Sequence, residues 1–218
     1  HPHIVALHDF GRTDTGQFYL VTEYIDGRSL AELIKEEAPL TSERVIDIGY
    51  QIADALGEAH KNGVIHRDMK PDNILVRAAG RQRDFVTVLD FGIAKVANRD
   101  PTAPTLTKTG VAVGTPKYIA PEQATAQKVS PQTDLYALGV ILYEMLTGQL
   151  PFQADSQTDY MIAHVHSTPA WPTLHGEPLL GPLVDVIMQC LEKPQSARPD
   201  SASTLADRLD KARPPDTR

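Results

Sequence analysis

The sequence predicts an α+β fold in which a few short strands accompany a larger body of helices. Three observations carry this. Apolar residues 4–10 and 18–25 flank Thr13-Asp14-Thr15-Gly16, a turn signal, and read as a hairpin. Ile74-Leu75-Val76 and the run from Phe85 to Leu89 read as a second pair of short strands. Elsewhere the pattern is helical. Val45, Ile48, Ile52, Ala55, Leu56 and Ala59 fall on one face of a long helix, and residues 134–146 are apolar on nearly every side.

In chain order, Ser29 caps a helix over residues 30–37, with Glu32 near the third position as in a capping box. Thr41-Ser42-Glu43 opens the long helix, and Asn62-Gly63 stops it. Its apolar stripe is core. Residues 77–84, rich in arginine, read as a solvated turn between the second pair of strands. From 93 to 119 the hydrophobic periodicity is lost, which predicts a mobile segment. The apolar helix at 134–146 belongs in the middle of its lobe, with Asp134 placed to cap its start. Thr147-Gly148 ends it. Trp171 packs a surface loop, and residues 179–191 and 203–209 read as the last helices.

Composition narrows the function classes. The 218 residues suffice for one large domain or two small lobes. A formal net charge of −7 gives no support to nucleic-acid binding. The single cysteine, Cys190, lies in an apolar run and reads as a buried, inert thiol. No apolar stretch reaches the roughly 18 residues of a membrane span, so no membrane contact is expected from this segment. The start lacks the features of a signal peptide. His164 and His166, two apart, diverge on a helix and argue against a metal site there.

The chemistry concentrates in His66-Arg67-Asp68-Met69-Lys70-Pro71-Asp72-Asn73 and, seventeen positions on, Asp90-Phe91-Gly92. Both stretches lie at the mouths of the second pair of strands. An Asp, a Lys, an Asn and a second Asp gathered there suit phosphoryl transfer. Asn73 and Asp90 offer the oxygen ligands that Mg²⁺ favours. Lys70 can neutralise a phosphate oxygen, and Asp68 can accept a proton from an attacking hydroxyl.

These motifs, with Ala120-Pro121-Glu122 following, resemble the protein kinase signature in order and spacing. The resemblance implies a protein kinase-like fold, mostly the helical C-terminal lobe with the last small-lobe hairpin and hinge. Residues 1–25 would be part of the small lobe, 26–211 the large lobe, and 212–218 the start of a linker. His1 to Leu7 resembles the segment entering the fourth small-lobe strand. No Gly-rich loop or strand lysine is found, so the chain reads as a fragment, itself a poor catalyst.

The resemblance also implies residue roles. Asp68 is the catalytic base, Lys70 stabilises the transferring phosphoryl group, and Asn73 and Asp90 hold Mg²⁺. Thr22 lies at the back of the ATP adenine pocket. Glu23, Tyr24 and Ile25 form the hinge, Leu7 stacks between the lobes, and Leu75 touches the ring from below. His66 and Phe91 pack the loop. Lys70, two after Asp68, is similar to Ser/Thr rather than tyrosine kinases. Thr107 and Thr109 match phosphorylated threonines of bacterial receptor-like kinases, and Arg67 could pair with such a phosphate. Thr115, within Gly114-Thr115-Pro116-Lys117-Tyr118, matches the substrate-docking segment. Glu122 pairs with Arg198, and Asp134 braces the catalytic loop. Ala-Pro-Glu-Gln adds a bacterial flavour.

The expected activity is transfer of the ATP γ-phosphoryl to Ser or Thr of protein substrates, with self-association for autophosphorylation. The expected setting is the cytoplasm, including the cytoplasmic domain of a membrane-anchored kinase. The alternatives are a pseudokinase scaffold and a small-molecule phosphotransferase. The docking segment favours a protein substrate over the latter.

Overall fold

A computed structural model describes residues 1–80, 82–91 and 116–214. Strands β1 (Leu7–Arg12) and β2 (Phe18–Thr22) form the first hairpin, with Phe10 opposite Leu20 and Arg12 opposite Phe18. The paired region is shifted from the apolar runs. Ile4 makes a parallel bridge with Val88 instead. Glu23 closes the hairpin against Ala6: its N–H donates to the Ala6 carbonyl at 3.0 Å, and its carboxylate accepts from the Ala6 N–H at 2.8 Å.

A three-stranded antiparallel sheet is ordered β3 (Arg28–Ser29), β4 (Ile74–Ala79), β5 (Gln82–Val88). The arginine-rich stretch is therefore mostly strand, not turn. Strand alternation turns Asp84 inward with Val86 and Val88. Its buried carboxylate accepts from Arg44 Nε at 2.6 Å and Nη2 at 2.8 Å.

As the edge strand, β5 would leave backbone groups unpaired. Gln51 covers them: its Nε2 donates to the Asp84 carbonyl at 2.8 Å, and its Oε1 accepts from the Val86 N–H at 3.0 Å. Further along, the Val88 N–H donates to the His3 carbonyl at 2.9 Å, and the Val5 N–H donates to the Val88 carbonyl at 3.0 Å.

Helix α1 (Leu30–Glu37) begins with the expected capping box. Ser29 Oγ accepts from the Glu32 N–H at 3.1 Å, and the Glu32 carboxylate accepts from the Ser29 N–H at 2.9 Å. Helix α2 (Ser42–Lys61) runs from the Thr41 cap to Asn62, and its apolar stripe is buried. After the short α3 (Pro121–Ala124) comes α4 (Pro131–Thr147), buried along nearly its whole length.

Helix α4 starts three residues before Asp134, with Ser130 at the cap and Pro131 at the first helical position. Asp134 is thus released from capping. Helix α5 (Gln157–His166) packs against α3 and the turn at Pro116–Tyr118, while the long helices α2 and α4 share one core with α6 (Pro182–Cys190) and α7 (Ala202–Lys211). At Gly139 a Cβ would come within 2.5 Å of Cys190 Cβ, so glycine permits α4 and α6 to touch. Cys190 is fully buried there, and burial pushes its thiol up to about 12.

Helix α6 begins later than the apolar run, since Gly181-Pro182 sets its first turn. Strands β6 (Thr173–Leu174) and β7 (Glu177–Pro178) form a small surface hairpin. Beside it, Trp171 Nε1 donates to the Leu179 carbonyl at 2.9 Å.

Candidate active site

The loop 66–73 hangs from Asp134, whose side chain is 1% exposed in the first turn of α4. Its Oδ2 accepts from the His66 N–H at 2.8 Å, and its Oδ1 accepts from the Arg67 N–H at 2.8 Å. His60 Nε2, from the end of α2, lies 2.8 Å from Oδ2. This grip holds Arg67 at φ 67°, a conformation that residues other than glycine rarely adopt. The His66 ring ties the loop to β5: Nε2 donates to the Leu89 carbonyl at 2.8 Å, and Nδ1 accepts from the Asp68 N–H at 3.3 Å. The Phe91 ring meets it edge-on at 4.8 Å.

Asp68, Lys70 and Asn73 come together. Lys70 Nζ lies 3.3 Å from Asp68 Oδ2. A 3₁₀ turn at Pro71–Asn73 carries Asn73 Nδ2 to the Asp68 carbonyl at 2.9 Å and to Oδ2 at 3.2 Å. With its amide nitrogen committed to Asp68, Asn73 keeps Oδ1 for another partner. The Leu89 N–H donates to the Asn73 carbonyl at 2.9 Å, so Asp90, the next residue, enters from the adjoining strand end. Asp90 is exposed, with φ 53°. The described residues contain no cluster of three or more His, Cys, Asp or Glu able to cage a metal. One amide and one carboxylate oxygen still fit Mg²⁺, which keeps water and substrate phosphate among its ligands.

Asp68, Lys70 and Asn73 open on a cleft of about 900 Å³. The 3₁₀ turn Pro116–Tyr118 contributes to the cleft, with Glu144 of α4 and Ile34 and Lys35 of α1. Tyr118 Oη donates to Glu144 Oε2 at 2.7 Å. Burial raises the Glu144 pKa, against the opposing effect of the tyrosine bond.

From α5, His164 Nε2 donates to the Lys117 carbonyl at 2.9 Å, while Tyr136 Oη donates to Nδ1 at 2.9 Å. Both nitrogens are thus used by a neutral ring. Burial pushes the His164 pKa down to about 4 from 6.5, despite the Lys117 bond. Protonation therefore favours the unfolded chain. Stability contributed by neutral His164 is present above about pH 6.5 and lost as pH falls towards 4, by about 3 kcal/mol in full. Denaturant unfolding between those pH values will show a smaller acid loss in His164→Gln than in the parent.

The segment after the Pro116–Tyr118 turn is anchored by Glu122 and Arg198, 3% and 0% exposed at their side chains. Two parallel bonds join them, Nη1 to Oε1 at 2.8 Å and Nη2 to Oε2 at 2.9 Å. Burial would raise the Glu122 pKa, but Arg198 and the Thr133 hydroxyl hold it below the usual value.

The expected hinge residues follow β2. Thr22 ends that strand opposite Leu7, Glu23 and Ile25 are half-buried, and Tyr24 is 89% exposed. Leu75 is half-buried in β4, opposite Thr87 and Ser29. Gly92, Thr107, Thr109 and Thr115 lie outside the described residues. Sequence reasoning gives no site role to His60, Gln123 or Glu144, names Tyr118 only within the segment matched to substrate docking, and weighs His164 only against a metal site. His60 and His164 sit within helical patterns with no local mark of their distant partners.

The protein kinase domain profile matches residues 1–209. The chain is 40% identical to serine/threonine-protein kinase pkn3 of Myxococcus xanthus over 96% of its length, covering 39% of that protein. It is 44% identical to serine/threonine-protein kinase PknD of Mycobacterium tuberculosis over 94% of its length, covering 30%. With serine/threonine-protein kinase PknB of Mycobacterium tuberculosis the identity is 37% over 99% of the chain, covering 34%. The chain thus spans about a third of the length of these curated relatives. A profile match across nearly the whole chain, joined to a loop that gathers Asp68, Lys70 and Asn73, means that the chain belongs to the protein kinase family.

Proposed function

We propose that the complete protein transfers the γ-phosphoryl group of ATP to Ser or Thr hydroxyls of protein substrates. The carrying observation is the Asp68–Lys70–Asn73 cluster opening on a cleft bordered by Pro116–Tyr118. In this reading Asp68 orients the substrate hydroxyl and accepts its proton, while Asn73 and Lys70 hold that carboxylate in place. Lys70 also offers its charge to the moving phosphoryl oxygens. Asn73 Oδ1 and the Asp90 carboxylate would hold Mg²⁺, which when bound neutralises phosphate charge. Positioning and charge neutralisation supply most of the rate, since little covalent chemistry falls to the protein. Backbone groups of residues 23–25 would read the adenine, with Thr22 behind it and Leu75 beneath.

The names of the relatives and the spacing of Lys70 from Asp68 favour Ser/Thr over Tyr. Phosphate on Thr107 or Thr109, paired with Arg67, would order the segment before Pro116. Thr115 would meet the substrate near Asp68. Transient self-association would deliver that phosphate, and the cytoplasm would supply ATP and Mg²⁺. Among the described residues no helix is long and apolar enough to cross a membrane.

The test uses the complete protein, radiolabelled ATP, and Ser-, Thr- and Tyr-containing peptides beside an aminoglycoside. Label on Ser or Thr that disappears with EDTA is expected. Label only on Tyr or on the aminoglycoside would overturn the assignment.

A further inference from the structure

We propose that Gln123 is a positioning residue for phosphoryl transfer, its carboxamide holding the peptide bond between Arg67 and Asp68 and thereby aiming the Asp68 carboxylate. The inference rests on the kinase reading of the site.

Gln123 lies in α3, beyond the docking segment and 56 positions from the loop it touches. Its Nε2 donates to the Arg67 carbonyl at 2.8 Å. Its Oε1 accepts from the Ala120 N–H at 3.1 Å. The second bond fixes the first: the group met at Ala120 is an N–H, a donor only, and the group met at Arg67 is a carbonyl, an acceptor only, so the amide has one orientation that satisfies both.

The position of this bond matters because Arg67 is in the left-handed region, φ 67°. A residue held there persists only where its surroundings restrain it. Asp134 restrains the preceding peptide through the Arg67 N–H. Gln123 restrains the following one through the Arg67 carbonyl. That following peptide carries the Asp68 N–H, whose own bond to His66 Nδ1 is longer, 3.3 Å. The Gln123 amide is therefore the shorter of the two restraints on the peptide leading into Asp68.

Helix α3 itself is not free to drift. Glu122, its neighbour, is clamped by Arg198 within the helical core. The amide thus bridges the end of the docking segment and the base of the catalytic loop. A role confined to capping would need only the Ala120 bond, which leaves the Arg67 bond unaccounted for.

Two substitutions in the complete protein separate these roles. Gln123→Glu keeps the acceptor for Ala120 and replaces the donor to Arg67 by an oxygen. Gln123→Met keeps the length and removes both bonds. If Gln123 positions Asp68, kcat for a Ser/Thr peptide falls about 10-fold to 100-fold in both variants, with the KM for ATP unchanged. If Gln123 only caps α3, Gln123→Glu keeps the parent kcat, and that result overturns the proposal.

The backbone ¹⁵N resonance of Asp68 gives a readout independent of turnover, since the Arg67 carbonyl belongs to the same peptide group. It is expected to move in both variants, and an unmoved resonance in Gln123→Glu overturns the proposal. A parent protein that phosphorylates nothing would remove the kinase reading, while this resonance would still decide the geometry.

Discussion

Asp68→Ala in the complete protein lowers kcat for a Ser/Thr peptide by about 10²–10⁴-fold, the range of a lost general base. Asp68 accepts from the Asn73 amide and faces Lys70 at 3.3 Å, so its carboxylate is held without being enclosed. Its side chain is 68% exposed, leaving room for a substrate hydroxyl. Alanine removes the proton acceptor and leaves the Asn73 bond to the backbone carbonyl of residue 68 in place. The effect should therefore fall on turnover, with nucleotide affinity nearly unchanged. Steady-state kinetics with ATP and peptide varied separately will check this. Turnover within about tenfold of the parent removes Asp68 from the base role.

Arg198→Met destabilises the domain by about 3–5 kcal/mol, read as a shift in the denaturant midpoint. The guanidinium holds the Glu122 carboxylate and also donates to the carbonyls of Glu192, Gln132 and Lys193. It lies 4.8 Å above the Tyr136 ring. Methionine leaves a carboxylate buried without its partner and three carbonyls short of a donor. Uncompensated charge dominates that loss. Adding Glu122→Leu to Arg198→Met should therefore recover part of the stability, giving a favourable coupling in a double-mutant cycle. Additive losses would mean that the pair contributes through shape alone.

Much of the secondary structure is legible because its causes are local. Ser29 and Glu32 make a capping box whatever lies elsewhere, and the stripe from Val45 to Ala59 can bury only one face of a helix. The chemistry of the loop is also local. Asp68, Lys70 and Asn73 stand close enough in sequence for one turn to gather them. The sequence misleads where composition outweighs geometry. Asp84, inside an arginine-rich stretch, reads as solvated turn, yet strand alternation turns it inward against Arg44. For Asp134 the residue pattern alone suggests a cap, while the family resemblance gives it the brace on the loop; Pro131 and Ser130 start the helix earlier, and its carboxylate accepts from the His66 and Arg67 N–H groups.

The chain's own order of residues establishes its family, most of its helices (α3 and α5 excepted) and the identity of the groups available for chemistry. Folding alone decides which distant groups restrain them. The Gln123 amide on the Arg67 carbonyl and the His164 ring on the Lys117 carbonyl join positions 56 and 47 residues apart. Such bonds leave no periodic trace, because they depend on where packed helices place a side chain. Hydrophobic packing fixes those placements only when the whole core has formed.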